Sequence, residues 1–514
     1  MGVLGSKDSI NPDDQYERYE RLPVLLKRFS FAEKMRIACI YSSHAIGFDS
    51  KSRQTARPRT VLPWCIETFV MLAMEAKEYQ DGDFKGKSES KFIKMCNAIW
   101  DATSILTEQT CGRFSPVDLM LPMFALTQFR YQEMDAIKRY RYWRIFNDNA
   151  APVYLKDIFK EKMETDYEDF LLLGGLLQVL LFAQVQNKQI TISQKALEYL
   201  IGQRFPLAAK MLMITRADYI SLQKRFIGDD SDPYKYVFSL CPSAQYPLIE
   251  HDGAIYFPLP HMLMQSVTSS LLYRITEKNN QLRTDIGKHI WERYLLDIIK
   301  DTGLYDEVYA EQAYKHLGSN ANSPDVLVRQ GNSVLFMDSK STVPGLGLRI
   351  FDSASHENNI AIVSDYMVKL YKQILHFSEY NPFSGNVSSN TEDYWGIVVV
   401  LEDSYIRRQY YYERAKNVLE LEDNSPHWKW FLTHIKVASL YEVERLCLVG
   451  KSIVDACKVV FQEDPYTFAF LGYPDDNSPC SNTSFLEFKA MYDQKIHALL
   501  AEMNSAGCFD FSSK

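Results

Sequence analysis

The chain has 514 residues, a length that implies two to four domains at roughly 150 residues each. Its 57 basic and 65 acidic side chains leave a net charge of −8, and 46% of the residues are hydrophobic. That balance supports large cores and excludes both a wholly disordered chain and one held to nucleic acid by overall positive charge.

The nine cysteines form no CxxC pair, so a zinc ribbon or a thioredoxin-type motif is not expected. A disulfide framework is not expected in a chain of this size, which points to a reducing, cytoplasmic compartment. The opening MGVLGSKDSINPDD has no apolar segment of signal-peptide length.

Residues 1–25 are polar and read as a frayed tail. From 26 to 230 the pattern is mainly helical and reads as a recognition or regulatory domain. FAEKMRIACIYSSHA, VLPWCIETFVMLAMEAKEY, SESKFIKMCNAIWDATSIL and SQKALEYLIGQRF all repeat apolar residues at three- and four-residue spacing. Within this region FRYQEMDAIKRYRYWRIF, residues 129–146, interleaves basic groups with aromatics. Lys138, Arg139, Arg141 and Arg144 could contact phosphate there, although an amphipathic helix with a solvated basic edge is the favoured reading. The most apolar run, FLLLGGLLQVLLFAQV from Phe170 to Val185, has 16 residues broken by a glycine pair and Gln178. A membrane span needs about 20, so a buried helix is expected and no membrane partner.

Residues 231–280 form a joint. YPLIEHDGAIYFPLP holds two short β-like runs around Asp252-Gly253, a strong hairpin signal. Residues 281–450 then alternate. IGKHIWERYLLDIIK reads as a helix, and DEVYAEQAY, SPDVLV and SVLFMDSKS as three strands. SDYMVKLYKQILHF reads as a helix and WGIVVVLED as a buried strand. A helix over about 404–423, a strand at THIKVAS and a helix at YEVERLCLVG follow. Residues 451–514 read as a helical extension with a loop-rich link.

The stretch that carries chemistry joins Ser323-Pro324-Asp325 to Met337-Asp338-Ser339-Lys340. Asp338 and Lys340 are two apart on a strand and share a face. If Gly331-Asn332 makes a two-residue turn, Gln330 pairs with Ser333. The register then runs back to place Asp325 opposite Asp338, with Cβ atoms about 5 Å apart. Two facing carboxylates repel unless something positive lies between them. Mg²⁺ or Mn²⁺ takes such oxygen ligands, and a cation with a lysine beside it suits attack on a phosphodiester. Glu292 adds a third acid. With Leu295, Leu296 and Ile299 at i+3, i+4 and i+7 it lies on an inward stripe, whereas Asp297 falls off it. Glu311 is a weaker candidate.

The order Pro-Asp, a gap, then Asp-x-Lys on adjacent strands resembles the PD-(D/E)xK nuclease superfamily over roughly residues 281–402. The resemblance implies a restriction-endonuclease-like α/β core of order αβββαβ, between a mainly helical N-terminal region and a helical tail. It implies Asp325 and Asp338 as metal ligands, Glu292 as a further acid of the metal site, and Lys340 as the group that orients or activates water. Some members carry a glutamine on the following helix with tyrosine four residues on; here Gln373 is followed by Phe377. The function expected is metal-dependent hydrolysis of phosphodiesters, most simply by an endonuclease on DNA. A large recognition module on such a core is similar to bacterial defence or restriction effectors, with an activating signal, a partner protein or a homo-oligomer as further expectations. The alternatives are an RNA nuclease and a non-catalytic nucleic-acid-binding or scaffold protein on the same fold. No HExxH, GxSxG, Walker loop or complete GxGxxG is present, and no histidine metal site is expected. Gly345-Leu346-Gly347 reads as a flexible loop near the site.

Overall fold

The computed structural model describes residues 17–45, 61–78, 88–109, 114–115, 118, 135–186, 194–227, 236–237, 239–277, 279–344, 348, 353–460, 466, 470 and 478–508. The Gly345-Leu346-Gly347 loop, residues 1–16 and residues 129–134 of the basic segment lie outside them. The protein is a mixed α/β molecule with helical regions on both sides of its principal sheet.

The expected helices form: α1 spans Phe31–Ala45 and α2 Pro63–Glu75, with a further helix at Ser88–Gln109. Trp64, Phe69, Phe92 and Ile99 meet in one core, which also takes Ile249 and Leu259 from beyond the helical region. Order begins earlier than the sequence pattern suggests. Residues 17–20 are helical and Tyr19, Leu22 and Leu26 are buried in that core. The basic segment forms α3, Asp135–Phe146. The apolar run forms α4, Tyr167–Gln186. No described helix is long and apolar enough to cross a membrane. The α4 glycine pair has a packing reason: a Cβ on Gly175 would overlap the Tyr492 hydroxyl, so the bare backbone admits the C-terminal helix.

In the joint, β2 (Leu248–His251) and β3 (Ala254–Tyr256) pair antiparallel across Asp252-Gly253. Both turn residues have positive φ, 51° and 73°, as a two-residue hairpin turn of this twist requires. A short strand that the helical pattern hides, β1 (Met213–Thr215), pairs parallel to β2.

The principal sheet has five strands. β4 (Glu307–Ala310), β7 (Val326–Gln330) and β8 (Ser333–Lys340) run antiparallel, and β9 (Tyr394–Val400) and β10 (Ile435–Ser439) continue parallel to β8. Between β4 and β7 stands a separate hairpin, β5 (Ala313–His316) with β6 (Ser319–Asn322). The single strand expected over DEVYAEQAY is two, β4 and β5, broken at Glu311-Gln312.

Alternation along the strands sorts side chains to two layers. Val326, Val328, Leu335, Met337, Ile397 and Val399 face a core that holds helix α5, Glu292–Lys300. Leu327, Val334, Phe336, Val398 and Val400 face the opposite core. That second core holds α6 (Ser353–Leu375) and α7 (Arg408–Leu419). Helices α8 (Leu440–Leu448) and α9 (Thr483–Ser505) pack with α3 and α5 in the first core.

Candidate metal and phosphodiester site

Gly331 has φ +60°, and Gln330 pairs with Ser333, so the β7–β8 turn has the two-residue form that the register argument required. The ladder runs back through Val326 opposite Met337. Asp325 is the next residue out, level with Asp338. By the alternation above, Asp325, Asp338 and Lys340 all belong to the α6 face.

The three side chains meet at the end of β8. Lys340 Nζ lies 2.6 Å from Asp338 Oδ2 and 3.9 Å from Asp325 Oδ2. The Ser339 amide donates to Asp325 Oδ2 at 2.6 Å. Asp338 is fully buried and Asp325 nearly so. A loop stitched at its base delivers Asp325. The Gln312 amide donates to Ser323 Oγ and the Ser323 amide to the Gln312 carbonyl, each at 2.8 Å.

Glu292 opens α5 directly after a π-helical turn at Gly287–Trp291. Such turns widen a helix locally and recur at functional sites. Here the turn meets the end of β8, where a Cβ on Gly287 would stand 3.1 Å from Ser341 Oγ. Glu292 is half-buried, and its charged neighbours are Glu311, Lys340, Asp338 and Lys288. Asp297, one turn further, pairs instead with Arg144 at 3.5 Å. Glu311 is exposed but close enough to repel Glu292.

The electrostatics are those of a site with more negative charge than its lysines offset. Burial, then repulsion from Asp338 and Glu292, push Asp325 up to about 8 against the pull of Lys340. Burial and the neighbouring Glu311 push Glu292 up to about 7, with Asp338 adding to the rise. Burial alone would lower the Lys340 pKa, but Asp338, Asp325 and Glu292 outweigh it and raise it. Both Asp338 carboxylate oxygens are buried without a well-formed hydrogen bond. Hard oxygen donors short of positive charge fit a divalent cation.

Sequence reasoning missed two groups on α6. Lys369 Nζ lies 3.8 Å from Asp338 Oδ1, and the Lys340 ammonium sits 5.4 Å from the centre of the Tyr366 ring. Their three-residue spacing, with Gln373 four residues on, marks one helix face, which was the available signal. Gln373 is buried on that face and its Nε2 donates to the Asn322 carbonyl at 2.8 Å. It therefore holds the strand that leads into Asp325.

The basic helix α3 is directed inward. Arg141 is buried and forked onto Glu444 of α8, with Nε–Oε1 at 2.7 Å. Lys138 is buried as well. Arg139 bonds Gln178 and lies over the Tyr492 ring. Arg144 pairs with Asp301 at 2.8 Å. These residues serve packing between helices, so the solvated basic edge expected from the segment is not formed: its basic groups are buried or half-buried against neighbouring helices.

Neither family models, nor curated proteins, nor solved structures contain a match to this chain.

Proposed function

We propose that the chain is a metal-dependent nuclease, with DNA as its first-choice substrate, built on a restriction-endonuclease-like core over residues 281–450. The observation that carries this reading is the Asp325–Asp338–Lys340 cluster. Two buried carboxylates in register share one lysine, and a third acid stands at the same strand end. The order α5, β4, β7, β8, α6, β9 supports the fold assignment.

Asp325 and Asp338 would hold Mg²⁺ or Mn²⁺, with Glu292 completing or supporting the oxygen set. The bound cation would polarise the phosphoryl group and lower the pKa of water. The remaining work falls to the chain itself. Lys340, kept as an ammonium by its carboxylates, neutralises charge that grows on the phosphate oxygens and orients the attacking water. Lys369 adds a second positive group near the other carboxylate oxygen of Asp338. Gln373 and the Ser339 amide keep Asp325 in place. A DNA substrate needs positive surface that this acidic chain supplies only locally, and Lys340, Lys369 and Lys288 bring it to the cluster.

The test is cleavage of plasmid and oligonucleotide DNA and of RNA, with Mg²⁺, Mn²⁺ and EDTA arms. Metal-dependent cutting that drops by at least about a hundredfold in Asp338→Ala and in Lys340→Ala is expected. Cutting that survives both substitutions refutes the assignment. Mn²⁺ binding without cutting of any substrate would favour a binding protein on the same fold.

A further inference from the structure

A second donor cluster lies away from the carboxylates. His316 ends β5, His376 follows α6, and Glu379 ends the short helical turn Phe377–Glu379. His376 Nδ1 lies 2.7 Å from Glu379 Oε1, and His316 Nδ1 lies 3.4 Å from the same oxygen. The two imidazole centroids are 3.8 Å apart. One ligand atom from each residue falls within 4.8 Å of the other two. We propose that His316, His376 and Glu379 bind a transition-metal cation of the Zn²⁺ class, at a site separate from the carboxylate cluster.

The donor chemistry selects the ion. Two imidazoles and one carboxylate suit Zn²⁺ and its neighbours, whereas Mg²⁺ takes oxygen. Ligands at 2.0–2.1 Å around a tetrahedral centre stand about 3.3 Å apart, and the two nitrogen–oxygen distances bracket that spacing. Three protein donors leave one position to solvent. Side-chain exposures of 26%, 34% and 35% for His316, His376 and Glu379 give the ion a way in.

The parts are already assembled. Tyr314 packs on Tyr380 at 4.8 Å, and the Tyr380 hydroxyl donates to the Gln373 carbonyl at 2.8 Å. A cation here would join the β5–β6 hairpin to the end of the helix that carries Lys369 and Gln373. The same hairpin ends at Asn322, three residues before Asp325. Occupancy would therefore stiffen the segment that delivers Asp325.

The experiment is calorimetric titration of the tag-free full-length chain with Zn²⁺, and with Co²⁺ read by its visible spectrum. It is run in wild type, His316→Ala, His376→Ala, Glu379→Gln and Asp338→Ala. In Asp338→Ala, which lacks a ligand of the carboxylate cluster, one ion per chain with a tetrahedral-type Co²⁺ band is expected, and the same band is expected in wild type beside any ion the carboxylates take. Each histidine variant should weaken it by more than about tenfold, the least that losing even an outer partner costs a metal site. Melting in EDTA checks the fold of each variant, and Glu379→Gln, which keeps its shape, decides where a histidine variant melts differently. Absence of binding overturns the proposal. So does binding lost in Asp338→Ala but indifferent to His316, His376 and Glu379. Neither outcome bears on whether the carboxylate cluster cuts nucleic acid.

Discussion

Loading the carboxylate cluster with a cation should expel protons. Asp325 is held up at about 8 and Glu292 at about 7, so both are largely neutral at pH 6. The cation needs them ionised. The sign follows: a raised carboxyl pKa weakens metal binding below that pKa, and affinity climbs with pH until both groups are charged. With both carboxyls raised and coupled, most of each population is protonated at pH 6, so Mn²⁺ affinity at pH 6 should be at least about tenfold below that at pH 9. Ordinary carboxylates, with pKa values of about 4, would show no change over that range. Titration calorimetry in buffers of different ionisation enthalpy reads both the affinity and the protons released. More than one proton per Mn²⁺ is expected at pH 6 and nearly none at pH 9. A flat affinity with no proton release would refute the claim that burial and neighbouring acids hold these two ligands protonated. Glu292→Gln should cut the released protons at pH 6 by about one, which separates its part from that of Asp325.

Three further outcomes follow from the packing. Lys369→Ala should lower kcat about tenfold or more, while melting moves little because the side chain is half exposed; unchanged kcat would remove Lys369 from the site. Glu444→Ala takes from buried Arg141 its forked carboxylate and from the Tyr294 hydroxyl its acceptor at 2.7 Å, and should destabilise by about 3–5 kcal/mol in urea unfolding. Gly175→Ala puts a methyl where the Tyr492 hydroxyl stands; the overpacking cost of about 1–3 kcal/mol opposes the ~1 kcal/mol that alanine gains in a helix, so a clear rise in melting temperature would mean that α9 does not pack this closely on α4.

Local pattern determined a good deal of this protein. The β7–β8 register was legible because Gly331-Asn332 permits a two-residue turn, and a period of two then dictates which side chains share a face. Glu292 could be separated from Asp297 by helical periodicity alone, and the structure turns Asp297 toward Arg144. The helices α1 and α2 and the Asp252-Gly253 hairpin were legible for the same reason, since each signal is contained within a few residues of chain.

What only the tertiary structure decided depends on partners far apart in sequence. Periodicity marks a face but does not say what covers it, so the interleaved basic residues of α3 gave no sign that Arg141 meets Glu444. The break between β4 and β5 was hidden because Glu311-Gln312 carries no strong turn signal. β1 has strand form because β2 lies beside it, and its short run has no pattern of its own. Lys369 joins Asp338 only because α6 crosses the end of β8. His316 and His376 are sixty residues apart and look unrelated until that same crossing brings the hairpin against the end of α6. The sequence by itself determined that Asp325, Asp338 and Lys340 share one face of a strand pair, because turn form and a period of two are local. The crossing of α6, β8 and the hairpin decided which other side chains meet, because that depends on the packing of two cores rather than on any local preference.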